Sequence, residues 1–85
     1  MSLLKTHPEL YRVAGQKRNH LWLEIIEGED QGIRVSVPIY ASVYSDSLQK
    51  QITELTPGCV ERITLVSETK NPPQWRIETI HTQEP

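Results

Sequence analysis

Three histidines, one cysteine and a few paired acids are the groups in this chain that could ligate a metal or move a proton. Their spacing argues against both. His7, His20, His81 and Cys59 lie far apart, and none forms the short ligand pair that a zinc site uses. Surface histidines are the plain reading. Glu24 and Glu27 sit three apart on an extended chain, so they point to opposite faces and cannot work as an acid/base couple. Glu29 and Asp30 lie between Gly28 and Gly32. That turn lacks the regular acid alternation of a calcium loop, and its charge would repel phosphate. There is no Gly-x-Ser-x-Gly, no cysteine with a nearby histidine and no glycine-rich phosphate loop. The expectation is a protein without a catalytic set, metal or cofactor, one that binds something rather than transforming it.

Groups suited to binding are easier to find. From Ile33 to Tyr44 every odd position is apolar and every even one is polar, aromatic or proline. A period of two puts Ile33, Val35, Val37, Ile39, Ala41 and Val43 on one face, and Arg34, Tyr40 and Tyr44 on the other. Arginine and tyrosine are enriched at interface hot spots. Net charge is −2 but unevenly spread. Lys5, Arg12, Lys17 and Arg18 face only Glu9 in residues 1–20, whereas residues 21–60 hold six acids and two cations. The chain as a whole is not drawn to polyanions, so a nucleic-acid contact must come from a local patch.

The elements that position these groups can be read in order. Residues 1–9 and 83–85 are expected to be flexible, with a single domain over 10–82. The start shows no signal-peptide pattern, and no apolar run reaches the roughly 18 residues of a membrane span. The lone cysteine excludes an internal disulfide and suits a reducing cytoplasm; burial as a small apolar residue is its plain reading. Residues 6–14 read two ways. Thr6 and Glu9 have capping-box spacing for a short helix ending at Gly15, while Leu10–Val13 could be a short strand leading to a polar loop over 15–19. Leu21–Glu27 reads as a strand, and the Gly28–Gly32 turn should close a hairpin onto the next one. Pro38 has no N–H to give a ladder, so the following stretch is expected as two strand pieces, 33–37 and 39–43, turning a corner. Ser45, Asp46 and Ser47 are candidate caps, Asp46 with Gln49 having the capping-box spacing. Leu48, Ile52 and Leu55 form one apolar stripe, giving a helix over about 46–55 that Thr56-Pro57-Gly58 ends. Strands follow at Cys59–Glu68 and Gln74–Thr82. The expected core is Leu21, Leu23, Ile25, Ile33, Val35, Val37, Ile39, Leu48, Ile52, Leu55, Ile63, Leu65 and Ile77.

The fold class is mainly β, a small α+β domain. With a strand at 10–13, the element order and the Leu55-Thr56-Pro57-Gly58 approach to the fourth strand resemble the oligonucleotide/oligosaccharide-binding (OB) fold over about residues 10–82. That resemblance implies a five-stranded antiparallel barrel with its helix between strands three and four. With a helix there instead, the fit is an α+β sandwich of a four-stranded sheet and two helices. The OB resemblance also implies where a ligand would lie, between the loops carrying Lys17, Arg18 and Asn19 and those carrying Lys70 and Asn71. The strands between would offer Trp22, Arg34, Tyr40 and Trp75. Cations along phosphates and rings under bases are what a single strand needs. With no Phe in the chain, Trp22 and Trp75 are also the natural core fillers. The leading expectation is a protein-interaction or regulatory module, an oligomeric adaptor that binds a partner or a second copy. The alternative is single-stranded nucleic-acid binding through Lys17, Arg18, Arg34, Tyr40 and Lys70.

Overall fold

Leu21, Leu23 and Ile25 build the centre of the sheet. The computed structural model describes residues 4–81 and places these three side chains on the buried face of β3, His20–Ile25. Trp22 and Glu24 take the other face, as the pleat requires.

The ambiguous segment is a strand. β2, Glu9–Lys17, pairs antiparallel with β3 from Tyr11↔Ile25 to Lys17↔His20. On its other edge it pairs with β5, Val60–Ser67, from Glu9↔Ile63 to Arg12↔Val60. Two ladders satisfy this backbone and bury Tyr11 and Val13, whereas a two-turn helix is marginal alone. Pro8 falls just ahead of β2, where it interrupts no ladder. The register shifts between Val13 and Gly15, a bulge that leaves Ala14 as the extra residue. The expected polar loop contracts to Arg18 and Asn19, because Lys17 and His20 are already paired.

β1, Leu4–Lys5, pairs with the far end of β5 through Leu4↔Ser67 and Lys5↔Val66. Between β1 and β2, the Thr6 amide donates to the Leu65 carbonyl (2.9 Å) and its hydroxyl accepts from the Leu65 amide (3.0 Å). Residues 1–3 and 82–85, including the expected tail, lie outside the described residues.

β4, Arg34–Pro38, completes the hairpin with β3, from Glu24↔Arg34 to His20↔Pro38. Gly28 and Gly32 make its turn possible, with φ of 86° and 96° in a region that L side chains rarely enter. Beyond Pro38 the expected second strand piece is absent, and residues 39–45 turn instead. Side chains take the carbonyls that a strand would have offered. The Tyr44 hydroxyl donates to Pro38 O (2.8 Å) and Gln49 Nε2 donates to Ile39 O (2.7 Å). The six-residue inward face is corrected with it. Ile33, at the mouth of the turn, is 51% exposed and Val43 is 59% exposed.

α1 spans Asp46–Thr53, two residues shorter than expected, and Ser45 rather than Asp46 caps it. Ser45 Oγ accepts from the Leu48 amide at 3.1 Å. Ile52 and Leu55 are buried and Leu48 packs against the same cluster. After the helix, the Gly58 amide donates to Val13 O (2.8 Å) and the Val13 amide to Cys59 O (2.8 Å), tying the turn to β2. Cys59 is half-buried rather than fully enclosed.

β5 is covered on both faces from Ile63 to Ser67, and β6, Arg76–His81, pairs along its second edge. The strand order is β6-β5-β2-β3-β4, with β1 continuing the β2 side of β5. This is a mainly antiparallel sheet with one helix. It has six strands among the described residues, not five, and it is not closed into a barrel. Nor is it the four-stranded, two-helix sandwich. β4 and β6 approach each other without a ladder between them among the described residues. Pro38 accounts for the opening, since it ends β4 before a second stretch could reach β6.

Candidate functional site

The register of β2, β3 and β4 arranges the outward residues in three rows. The first is Arg12, Glu24 and Arg34; the second is Gly15, Trp22 and Ser36; the third is Lys17, His20 and Pro38. The middle row matters most. The register that starts at Lys17↔His20 sets Gly15 beside Trp22 on one side, and Ser36 stands on the other. Neither neighbour is large enough to cover the ring, and Trp22 is 41% exposed. The space at Gly15 is open, with no atom within 4 Å of where a Cβ would stand.

The uncovered ring separates two depressions. One, of about 310 Å³, is lined by Ala14, Gly15, Trp22 and Arg34. The other, of about 350 Å³, is lined by Lys17, Arg18, His20, Trp22 and Ser36. Both border a larger groove of about 860 Å³ that follows the sheet opening, sharing Arg34, His20 and Ser36 with it. Its opposite wall comes from Glu68, Thr69, Trp75 and Arg76. Ser67 fixes that wall. Its buried hydroxyl donates to Thr69 O (2.6 Å) and accepts from the amides of Thr69 (3.1 Å) and Gln74 (2.8 Å).

Charge on this face runs against the charge of the whole chain. Glu24 is the carboxylate of the three rows, and it is already engaged by Arg12 at 2.9 Å, with Arg34 at 3.7 Å. Among the described residues Lys17 and Arg18 meet no carboxylate. In the groove, Arg76 and Glu68 approach to 3.7 Å and offset one another. Four cations and one carboxylate therefore surround Trp22, in a chain of net charge −2.

Of the residues expected to form a site, Lys17, Arg18, Trp22 and Arg34 come together here, and Trp75 lines the adjoining groove while packing partly on the core. Lys70 is exposed in the connection that supplies the groove's far wall. Tyr40 is 62% exposed, in the turn after β4 and away from the lining of all three depressions. Tyr44 turns inward and is buried, its hydroxyl occupied by backbone. Arg12, Gly15, His20, Ser36 and Arg76 belong to the surface although the sequence reading did not select them. Their positions follow from cross-strand register and a bulge, which no local pattern announces.

Other chemistry is sparse. Among the described residues no three His, Cys, Asp or Glu side chains gather as metal donors. The side chain and backbone of Thr56 hydrogen-bond the Cys59 thiol and hold its pKa below the ordinary value. No described helix is long and apolar enough to cross a membrane. No family model, curated protein or solved structure matches the chain.

Proposed function

We propose that this protein is a non-enzymatic binding module whose Trp22 face holds single-stranded nucleic acid. The observation that carries the reading is the exposed ring of Trp22 between two open depressions, inside a local excess of Lys and Arg. Stacking on an aromatic ring tolerates any base, and cations beside the ring follow the phosphates. A duplex would keep its bases out of reach of such a ring. The strand order supports the same reading. With β1 and β2 taken as one interrupted strand, β6-β5-β2-β3-β4 keeps the neighbours of an OB fold, opened between its last and third strands. Among proteins of that fold, the second and third strands and the flanking loops form the ligand face. The lone Cys59 suits a reducing cytoplasm as the setting.

Fluorescence anisotropy with labelled single-stranded DNA and RNA tests this. Binding should weaken as salt rises, with a log–log slope of about −0.7 for each phosphate neutralised. No binding at low salt would remove the proposal.

A protein partner is the second reading. The facing edges of β4 and β6 favour it, with the half-exposed Ile33 on the groove beside them. An unpaired edge can take a strand from a partner or a second copy. Light scattering after size exclusion distinguishes the two, because a strict monomer leaves only a foreign partner.

A further inference from the structure

Trp22 stands between two depressions, and each has its own charged group. The first hollow holds Ala14 and Gly15 of β2 with Arg34 of β4; the second holds Lys17 of β2, Arg18 of the turn, His20 of β3 and Ser36 of β4. A platform for a single base would need only one open side. Here small residues flank the ring on both strands, Gly15 across the β2 ladder and Ser36 across the β4 ladder. We infer that Trp22 is a wedge between two successive bases of a single strand, one base in each depression. Arg34 then meets the phosphate on one side, and Lys17 and Arg18 meet it on the other. This rests on the nucleic-acid reading above and deepens it: the ligand is an unstacked dinucleotide step, which a flexible pyrimidine tract supplies most readily.

The charge pattern commits the face to this occupant. Glu24, which would repel a phosphate, is held by Arg12 at 2.9 Å and Arg34 at 3.7 Å, and among the described residues Lys17 and Arg18 meet no carboxylate. The register that starts at Lys17↔His20 carries Gly15 to the indole, and the bulge at Ala14 then brings Arg12 opposite Glu24.

Two substitutions fill the depressions one at a time and leave Trp22 and every cation in place. Gly15 has ordinary φ and open space around its missing Cβ, so Gly15→Val fits the backbone and blocks the first hollow. Ser36→Val is a β-favouring change on β4 and blocks the second. Affinity for short oligo(dT) and oligo(U) is measured by anisotropy for both, with circular dichroism melts to show that each is folded. Gly15→Ala and Ser36→Thr serve as milder versions. Each valine should weaken binding about tenfold or more, the loss expected when one stacked base is removed. A dinucleotide should bind wild type more tightly than a mononucleotide, and lose that advantage in either variant. If wild type binds oligonucleotides but both valine variants match it, the wedge is overturned and the nucleic-acid reading stands. If only one variant weakens binding, Trp22 is a one-sided platform and the wedge is again overturned. If wild type binds no oligonucleotide, the underlying reading falls and takes the wedge with it.

Discussion

Tyr44 holds Ile77 from across the opening of the sheet: its hydroxyl accepts the Ile77 amide at 3.4 Å while donating to the Pro38 carbonyl at 2.8 Å. One side-chain oxygen thus links the end of β4 to the start of β6, where no ladder joins them. It supports the groove from below, since Pro38 and Arg76 belong to its two walls. Burial pushes the Tyr44 hydroxyl pKa above its ordinary value, against the hydrogen bond from Ile77 and the charge of Arg76. Tyr44→Phe keeps the ring and removes only this link. It should cost about 1–3 kcal/mol, the range for leaving buried backbone partners unsatisfied, read as a lower urea midpoint at unchanged slope.

The same link shows where the sequence was legible and where it was not. Leu21, Leu23 and Ile25 on β3, and Ile52 and Leu55 behind α1, were readable because their burial follows from local period alone. The alternation from Ile33 to Val43 has the same appearance, yet the strand stops at Pro38. Pro38 ends the ladder there, and Tyr44 and Gln49, six and ten residues away, take the Pro38 and Ile39 carbonyls. Residues 6–14 were undecidable for a related reason, since the ladder from β5 comes from some fifty residues downstream. At the site, Lys17, Arg18, Trp22 and Arg34 were nameable from residue type. That Gly15 and Ser36 uncover both sides of Trp22 depends on cross-strand register, which is a property of the pairing.

Neighbouring residues on β3 should separate stability from binding. Trp22 faces outward and Leu23 is fully buried. Trp22→Ala removes a half-exposed ring and should change stability by less than about 1 kcal/mol, while weakening oligonucleotide binding about tenfold or more. Leu23→Ala opens a cavity in the core and should cost about 2–5 kcal/mol. Paired urea melts and binding curves check both. A Trp22→Ala variant that unfolds easily would place the indole in the core after all.

Alkaline pH should destabilise the fold through Tyr11. Burial, with the nearby charges of Glu9 and Asp30, raises its pKa to about 12. In the unfolded chain the same hydroxyl ionises near pH 10. The raised folded value means the unfolded state loses its proton first. Stability is therefore intact below about pH 10 and falls as pH climbs toward 12. Tyr11→Phe removes this ionisation and should flatten that decline, leaving the smaller contribution of Tyr44. Urea melts between pH 9 and 11 on both proteins test it; equal slopes would show that Tyr11 is not what titrates.

Arg18 joins backbone strain to charge, so one substitution should move stability and binding in opposite directions. It sits in the two-residue β2–β3 turn with φ of 57°, the left-handed region that costs a non-glycine residue about 1–2 kcal/mol. Arg18 also lines the second depression beside Trp22. Arg18→Gly relieves the turn, and the greater freedom of glycine in the unfolded chain takes back about 0.5–1 kcal/mol. A gain of up to about 1 kcal/mol in stability is expected. The variant also loses a phosphate contact, so affinity for oligo(dT) should drop at low salt and converge with wild type at high salt. The salt slope should shrink by about 0.7, one neutralised phosphate on a single strand. A more stable variant with an unchanged slope would show that Arg18 serves the turn alone and that Lys17 carries the charge on that side.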